Sequence, residues 1–210
     1  MDTAYFAEEK NTHVTRGFGL LERFLAEQRS KKANSLIPPA CRQGRILDIG
    51  CGQHPLFLMN TKFQEKYGLE KHLTEETKGR YRKEGIALIE HNLEAVKTLP
   101  FEDGYFDVIT MLAVFEHIDP HRLVGLLQEI RRILKSNGIY VMTTPAAWTD
   151  GLLKMMAHAR LVSLVEIEDH KETYTLSKIV SRLQEAGFAE EKIQSGYVQI
   201  FMNFWLAARK

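Results

Sequence analysis

The sequence predicts an α/β protein built on a doubly wound, mostly parallel sheet. Short apolar runs alternate along the chain with segments of helical periodicity, which favours strands joined by helical crossovers. The last two apolar segments are too close together for a helical crossover, so we expect them to pair antiparallel. With 210 residues and 44% hydrophobic content, the chain is long enough to bury a core of its own. We therefore expect one domain over residues 1–210.

The strands are predicted at short runs rich in apolar and β-branched residues. The first run, 46–49, stops directly before a turn with two glycines. Each later run is bounded by polar residues, glycine or proline, as strand ends usually are. These runs are 67–70, 86–90, 106–111, 139–143, 192–197 and 201–208.

Helices are predicted where apolar residues recur with helical spacing between a polar cap and a glycine or proline. A helix over 120–135 begins after Asp119, and one over 176–186 follows the cap residue Thr175. Two further helices are a long one over 19–37, ended by Pro38 and Pro39, and a short one that begins at Pro55.

The composition excludes several classes of protein. A formal net charge of +1 argues against binding to nucleic acid by bulk electrostatics. Cys41 and Cys51 are the only cysteines, which predicts reduced thiols in a cytoplasmic protein instead of a disulfide framework. No run approaches the ~20 apolar residues of a membrane span. The N-terminus has no apolar stretch typical of a secretion signal.

The most informative stretch is Arg-Ile-Leu-Asp-Ile-Gly-Cys-Gly at residues 45–52. An acid, Asp48, stands at the carboxyl end of a predicted strand, where it can accept hydrogen bonds from ammonium or hydroxyl groups. Gly50 and Gly52 let the backbone approach a ligand closely. This stretch resembles the D-x-G-x-G motif of class I S-adenosylmethionine-dependent methyltransferases. The third glycine that many members carry is replaced by His54.

The resemblance implies a Rossmann-like methyltransferase fold with strand order 3-2-1-4-5-7-6, in which the seventh strand is antiparallel. It also implies S-adenosylmethionine as the methyl donor. The matching residues extend from about 40 to 145, through a Leu-Pro-Phe run and a Phe-Asp-Val run. Within the latter, Asp107 is expected to be structural, because it lies at the start of its strand, away from the ligand end.

The expected donor site lies at the carboxyl ends of the first four strands. Glu70, 18 residues after Gly52, can bind both ribose hydroxyls, although a surface glutamate is the alternative. Asn92 stands where the family often has an aspartate that contacts the adenine amino group, or it is simply a turn residue. The complete set of expected donor-binding residues is Asp48, Gly50, Cys51, Gly52, Glu70, Asn92, the Leu93 amide and the carbonyls of Met111 and Leu112.

The candidate catalytic residue is His117, in the run Ala-Val-Phe-Glu-His-Ile. Its position is similar to that of the Glu-His pair of many small-molecule methyltransferases, which implies a general base or a polar wall of the pocket. The alternative is a histidine at a helix start with structural hydrogen bonds. Some family members bind a divalent metal with Glu-x-x-Glu-His, but the first acid is Ala113 here, so we expect no metal. His170 is a second candidate for the acceptor pocket.

Two segments are expected to cover the acceptor. Residues 1–40 would form an N-terminal helical cap, and the apolar, methionine-containing segment 146–175 would form a variable lid. That segment could instead pack on the sheet or form the contact of a homodimer. By family association, the acceptor is a small molecule or a glycan or lipid-linked precursor. The Asn-Pro-Pro-Tyr run of base-directed DNA methyltransferases is absent, which argues against a nucleic-acid acceptor.

Two other functions fit part of the sequence. An NAD-dependent dehydrogenase also has glycines after its first strand, but its G-x-G-x-x-G pattern fails at Pro55. A protein that binds S-adenosylmethionine without catalysis shares the binding motif, so the sequence leaves that alternative open.

Overall fold

The computed structural model describes residues 22–95, 97–146, 174–198 and 203–210. Its strands are β1 Arg45–Ile49, β2 Glu65–Glu70, β3 Ile86–Glu90, β4 Phe106–Leu112, β5 Leu134–Pro145, β6 Ile193–Val198 and β7 Asn203–Arg209. They form one seven-stranded sheet in the order β3-β2-β1-β4-β5-β7-β6. The pairs from β3 to β5 are parallel, and β7 is antiparallel to both of its neighbours. The predicted fold, including the antiparallel last strand, is confirmed.

The helices of the described residues are α1 Glu22–Leu36, α2 Leu56–Met59, α3 Glu75–Lys83, α4 Pro120–Ile133 and α5 Leu176–Glu185. Two predicted caps are confirmed. The Asp119 carboxylate accepts a hydrogen bond from the His121 amide, and the Thr175 hydroxyl accepts one from the Lys178 amide. Each cap satisfies a backbone donor that has no partner inside its helix.

One helix was missed from the sequence, and the start of one strand was misplaced. No helix was predicted over α3, whose sequence shows no apolar period and which has a single buried residue, Tyr81. The helix α4 ends at Ile133, and β5 begins at Leu134 instead of residue 139. Gly138 therefore lies inside the strand, where a Cβ would come within 2.8 Å of the Leu134 side chain.

The two faces of the sheet are covered by different helices. Ile46, Val108 and Val141 belong to a buried cluster with Ala33 of α1 and with Ile37, which directly follows that helix. On the opposite face the buried residues pack against α4 and α5; they include Leu47, Ile109, Met142, Leu127, Ile130, Ile179 and Leu183. Alternate residues of each strand thus enter opposite cores, as the period of two requires. We call the face that carries Ile46, Val108 and Val141 the α1 face.

The parallel register brings separate parts of the chain to one edge. Asp48 pairs with Gly68 and with Thr110, and Glu70 pairs with Glu90. The carboxyl ends of β1 to β4 therefore lie side by side, where ligands bind in open sheets of this kind. Among the helices of the described residues, none is long and apolar enough to cross a membrane. The proposed lid, His170 and the first part of the helical cap lie outside the described residues.

Candidate functional site

The turn after β1 needs glycine for two reasons. Gly50 and Gly52 have φ values of 72° and 73°, in the left-handed region that side chains disfavour. A Cβ on Gly50 would also lie 2.4 Å from Cγ2 of Val114. The amides of Gly50 and Cys51 both donate to the Leu69 carbonyl, at 2.8 and 3.1 Å, so the turn is fastened to the end of β2.

Asp48 is a buried carboxylate at the centre of this edge. Its side chain is only 4% exposed, and its Oδ1 accepts a 2.6 Å hydrogen bond from the Thr110 hydroxyl. Burial raises the pKa of Asp48 to about 7; the Thr110 bond opposes this shift, and the charge of Glu70 adds to it. A cation bound beside Asp48 would therefore relieve an unfavourable desolvated charge.

Glu70 is buried as well, at 8% exposure, and is not a solvated surface residue. Its Oε2 accepts a hydrogen bond from the Gly52 amide at 3.0 Å, and its Oε1 accepts one from the Lys71 amide at 2.8 Å. These two bonds orient the carboxylate against the glycine turn. A carboxylate held in this way is a hydrogen-bond acceptor of the kind that pairs with hydroxyl groups.

The segment after β3 forms a turn beside Glu70. The His91 amide donates to the Glu70 carbonyl at 2.8 Å, which attaches this turn to β2. The Asn92 Oδ1 accepts from the Glu94 amide at 2.9 Å, so Asn92 has the contact expected of a turn residue. Leu93 packs against the core with its side chain half-buried.

The end of β4 reverses direction abruptly. Met111 is fully buried, and both Met111 and Leu112 still pair with β5. Ala113 then adopts a φ of 57°, and its amide donates to the Thr143 carbonyl at 2.9 Å. A non-glycine residue in this conformation is strained, and such strain is often found at functional sites. The reversal brings Val114 against Gly50.

Glu116 and His117 follow in a short 3-10 turn, Phe115–His117. Glu116 is 3% exposed and accepts a 2.9 Å hydrogen bond from the Thr144 hydroxyl. His117 is half-buried, and its amide donates to the Val114 carbonyl. In the part of the chain that the structure describes, no three His, Cys, Asp or Glu side chains are grouped so that they could hold a metal ion.

His54 occupies the position of the missing third glycine, and its contact was not foreseen from the sequence. Its Nδ1 is hydrogen-bonded to the hydroxyl of Tyr81, a buried residue of α3. Burial lowers the pKa of His54, and the charges of Arg80 and Arg23 lower it further. A neutral His54 thus joins the glycine turn to α3. No periodic signal marked Tyr81, so sequence reasoning could not have found this pair.

Asp107 lies at the opposite end of β4, as predicted. Its Oδ2 accepts hydrogen bonds from the Arg45 amide at 2.8 Å and from the Lys135 Nζ at 2.7 Å. A Cβ on Gly44 would lie 1.9 Å from the same oxygen. Asp107 therefore joins the starts of β1, β4 and β5 and takes no part in the site.

A sheet in this order, with a glycine turn and two buried carboxylates at its carboxyl edge, defines the class I S-adenosylmethionine-dependent methyltransferases. Residues 16–193 match the family of methyltransferase domains. The match extends over most of the chain, so the chain belongs to this family. The resemblance predicted from the motif is confirmed, and S-adenosylmethionine is the cofactor that the family uses.

Relatives of known sequence or structure agree with this assignment. An uncharacterized methyltransferase of Bacillus subtilis, YcgJ, is 24% identical over 170 residues, which are 79% of this chain and 66% of that protein. A structure from Thermotoga maritima, of a possible histamine N-methyltransferase, has a TM-score of 0.67 at 19% identity and covers 99% of this chain and 96% of its own. A methyltransferase from Archaeoglobus fulgidus has a TM-score of 0.62 at 17% identity, with 100% of both chains covered. At these identities the solved structures establish the fold.

Proposed function

We propose that the protein transfers a methyl group from S-adenosylmethionine to a small-molecule acceptor or to a glycan or lipid-linked precursor. The observation that carries the proposal is the pair of buried carboxylates, Asp48 and Glu70, on either side of a glycine turn that admits no Cβ at Gly50. The donor presents an ammonium and two ribose hydroxyls, which are groups that carboxylates bind. The residues of this edge therefore fit the donor.

Each residue of the edge has a proposed role in holding the donor. Asp48, with the carbonyls of Met111 and Leu112, would bind the ammonium. Glu70, whose carboxylate the Gly52 and Lys71 amides orient against the glycine turn, would accept hydrogen bonds from the ribose hydroxyls. The remaining contacts would come from the backbone of Gly50, Cys51 and Gly52, and from Asn92 and the Leu93 amide near the adenine.

When bound, S-adenosylmethionine supplies an electrophilic methyl group on a sulfonium. The chain must hold the acceptor in line with that group and keep water away. His117 is proposed to line the acceptor side of the pocket, and to take a proton from an acceptor that keeps one at neutral pH. Its place in the short turn that follows β4, next to the buried Glu116, supports this role.

The acceptor class rests on family association, and the composition of the chain supports it. The helix α1 packs on the face of the sheet on which Asp48 lies, and residues 1–40 are proposed to cap the pocket. The near-neutral charge favours a small acceptor over a nucleic acid. Cys41 and Cys51 are both free thiols, which fits our proposal of a cytoplasmic location.

Methyl transfer is tested with radiolabelled S-adenosylmethionine and fractions of a small-molecule extract. We expect label to enter a low-molecular-weight product, together with formation of S-adenosylhomocysteine, and we expect neither with the Asp48→Asn variant. Binding of the donor without any turnover across all fractions would support the non-catalytic alternative instead.

Donor binding is tested by calorimetry with S-adenosylhomocysteine. Asp48→Asn removes the charge that attracts the ammonium, so we expect the affinity to fall at least about tenfold. The matched control is Asp107→Asn, which removes a carboxylate of the neighbouring strand at its far end and should leave the affinity within about twofold. Equal affinities of the wild type and Asp48→Asn would contradict the proposed donor site.

A further inference from the structure

Two buried threonines on the α1 face differ in what their hydroxyls do. Thr110 of β4 and Thr143 of β5 are both fully buried. Thr143 pairs with Leu112, two residues beyond Thr110, so the two side chains lie on the same face. Among the described residues the Thr143 hydroxyl has no hydrogen-bond partner, whereas the Thr110 hydroxyl donates to Asp48 Oδ1 at 2.6 Å.

The Thr110 hydrogen bond acts on the ionisation of Asp48. Within the described part of the chain, the other titratable groups coupled to Asp48 are Glu70 of β2 and Cys51 of the glycine turn, and neither of them carries a positive charge. Burial and Glu70 both favour the protonated carboxyl, and the Thr110 hydroxyl favours the carboxylate. On the α1 face of β4 the neighbours of Thr110 are Val108 and Leu112, which are apolar.

We propose that Thr110 is a positioning residue for the methyl donor. Its hydroxyl holds Oδ1 of Asp48 and favours the ionised form of the carboxyl, and Oδ2 would then bind the donor's ammonium. This role rests on the proposed function, in which Asp48 binds that ammonium. It explains why β4 carries a hydroxyl between the apolar residues Val108 and Leu112.

The pH dependence of donor affinity follows from this arrangement. A carboxyl with a pKa of about 7 takes up a proton as the pH falls, so the affinity should weaken below pH 7, approaching tenfold for each further unit. Without the Thr110 hydroxyl the pKa of Asp48 would rise further. The weakening would then begin at a higher pH.

The experiment is calorimetry with S-adenosylhomocysteine at pH 6, 7, 8 and 9. The demethylated product is the probe because it has no sulfonium. In the methyl donor itself, the sulfonium charge would lower the pKa of the amino group and add a second pH dependence. We expect Thr110→Val to bind about tenfold more weakly than the wild type at pH 7, with a smaller difference at pH 9. Thr110→Ser, which keeps the hydroxyl, should stay within about threefold.

The matched control is Thr143→Val, the same substitution on the same face at a hydroxyl that has no hydrogen-bond partner in the described part of the chain. We expect its affinity to stay within about twofold of the wild type at every pH. If Thr110→Val is unfolded by circular dichroism, Thr110→Ala is compared with Thr110→Ser instead.

The possible outcomes are distinct. A wild-type protein that binds the probe equally at pH 6 and pH 8, or a hydroxyl-free variant with the wild-type affinity and pH profile, would overturn the role of Thr110 and leave the donor site intact. A wild-type protein that does not bind the probe at any pH would overturn the proposed function itself.

Discussion

Three residues at the carboxyl edge of the sheet have positive φ values. Gly50 and Gly52 lie in the turn after β1, and Ala113 follows β4. For an alanine this conformation costs roughly 1–2 kcal/mol, which the Ala113 amide bond to Thr143 helps to offset. Because Val114 then packs against Gly50, the two reversals determine each other's shape.

Gly50→Ala should therefore destabilise the protein. An alanine at this position would have a disfavoured φ, and its Cβ would overlap Val114. We therefore expect the free energy of unfolding to fall by about 2 kcal/mol or more. Chemical denaturation measures this. The control is Gly79→Ala in α3, where a Cβ would meet no atom within 4 Å and should add about 0.5–1 kcal/mol of stability. Equal stability of the two variants would contradict this account.

One helix organises a loop that carries part of the family resemblance. The guanidinium of Arg132, in α4, donates to the carbonyls of Leu99 at 3.1 Å and Phe101 at 2.9 Å. Glu129, one turn earlier, accepts from the Leu99 amide at 2.8 Å. The Leu-Pro-Phe run is thus fixed to α4. Its contacts are structural, because they hold the loop that precedes β4.

Arg132→Lys should loosen this loop. Lysine is a single point donor and cannot reproduce the forked guanidinium, so we expect a loss of about 1–3 kcal/mol in the free energy of unfolding. Arg182→Lys is the control, because Arg182 forms one ion pair with Glu185 on an exposed helix surface and should change stability by less than about 0.5 kcal/mol. Similar losses for both variants would show that the fork is unimportant.

For the molecule as a whole, the donor site has an energetic cost. The carboxylates of Asp48 and Glu70 are buried beneath the glycine turn, and burial raises the pKa of Asp48 from 3.8 to about 7. The folded protein therefore binds more protons than the unfolded chain between these values. By linkage, this group's contribution to stability decreases as the pH rises from about 4 to 7.

Asp48→Asn removes this cost because it cannot ionise. We expect the variant to gain stability relative to the wild type as the pH rises from 4 to 7, by more than about 1 kcal/mol, and to gain nothing further above pH 8. Chemical denaturation of both proteins at each pH measures the difference between their free energies of unfolding. Contributions from ionisable groups that the two proteins share cancel in this difference. A constant difference across this range would mean that Asp48 does not titrate there.

The sequence predicted the elements whose evidence is local. Helical periodicity and caps located α4 and α5, and apolar runs located every strand to within a few residues, except the start of β5. The strand order came from the resemblance carried by Asp48, Gly50 and Gly52. The element α3 was missed, because a helix with one buried residue has no apolar pattern.

By itself the sequence determined the fold class, the family and the positions of Asp48 and Glu70, because strand periods and a contiguous glycine motif are properties of neighbouring residues. Only the tertiary structure decided which side chains contact each other in the site. Thr110 donates to Asp48, Thr144 donates to Glu116, and Tyr81 is hydrogen-bonded to His54. The partners in these pairs are 62, 28 and 27 residues apart, and they meet only when strand register and helix packing bring them together.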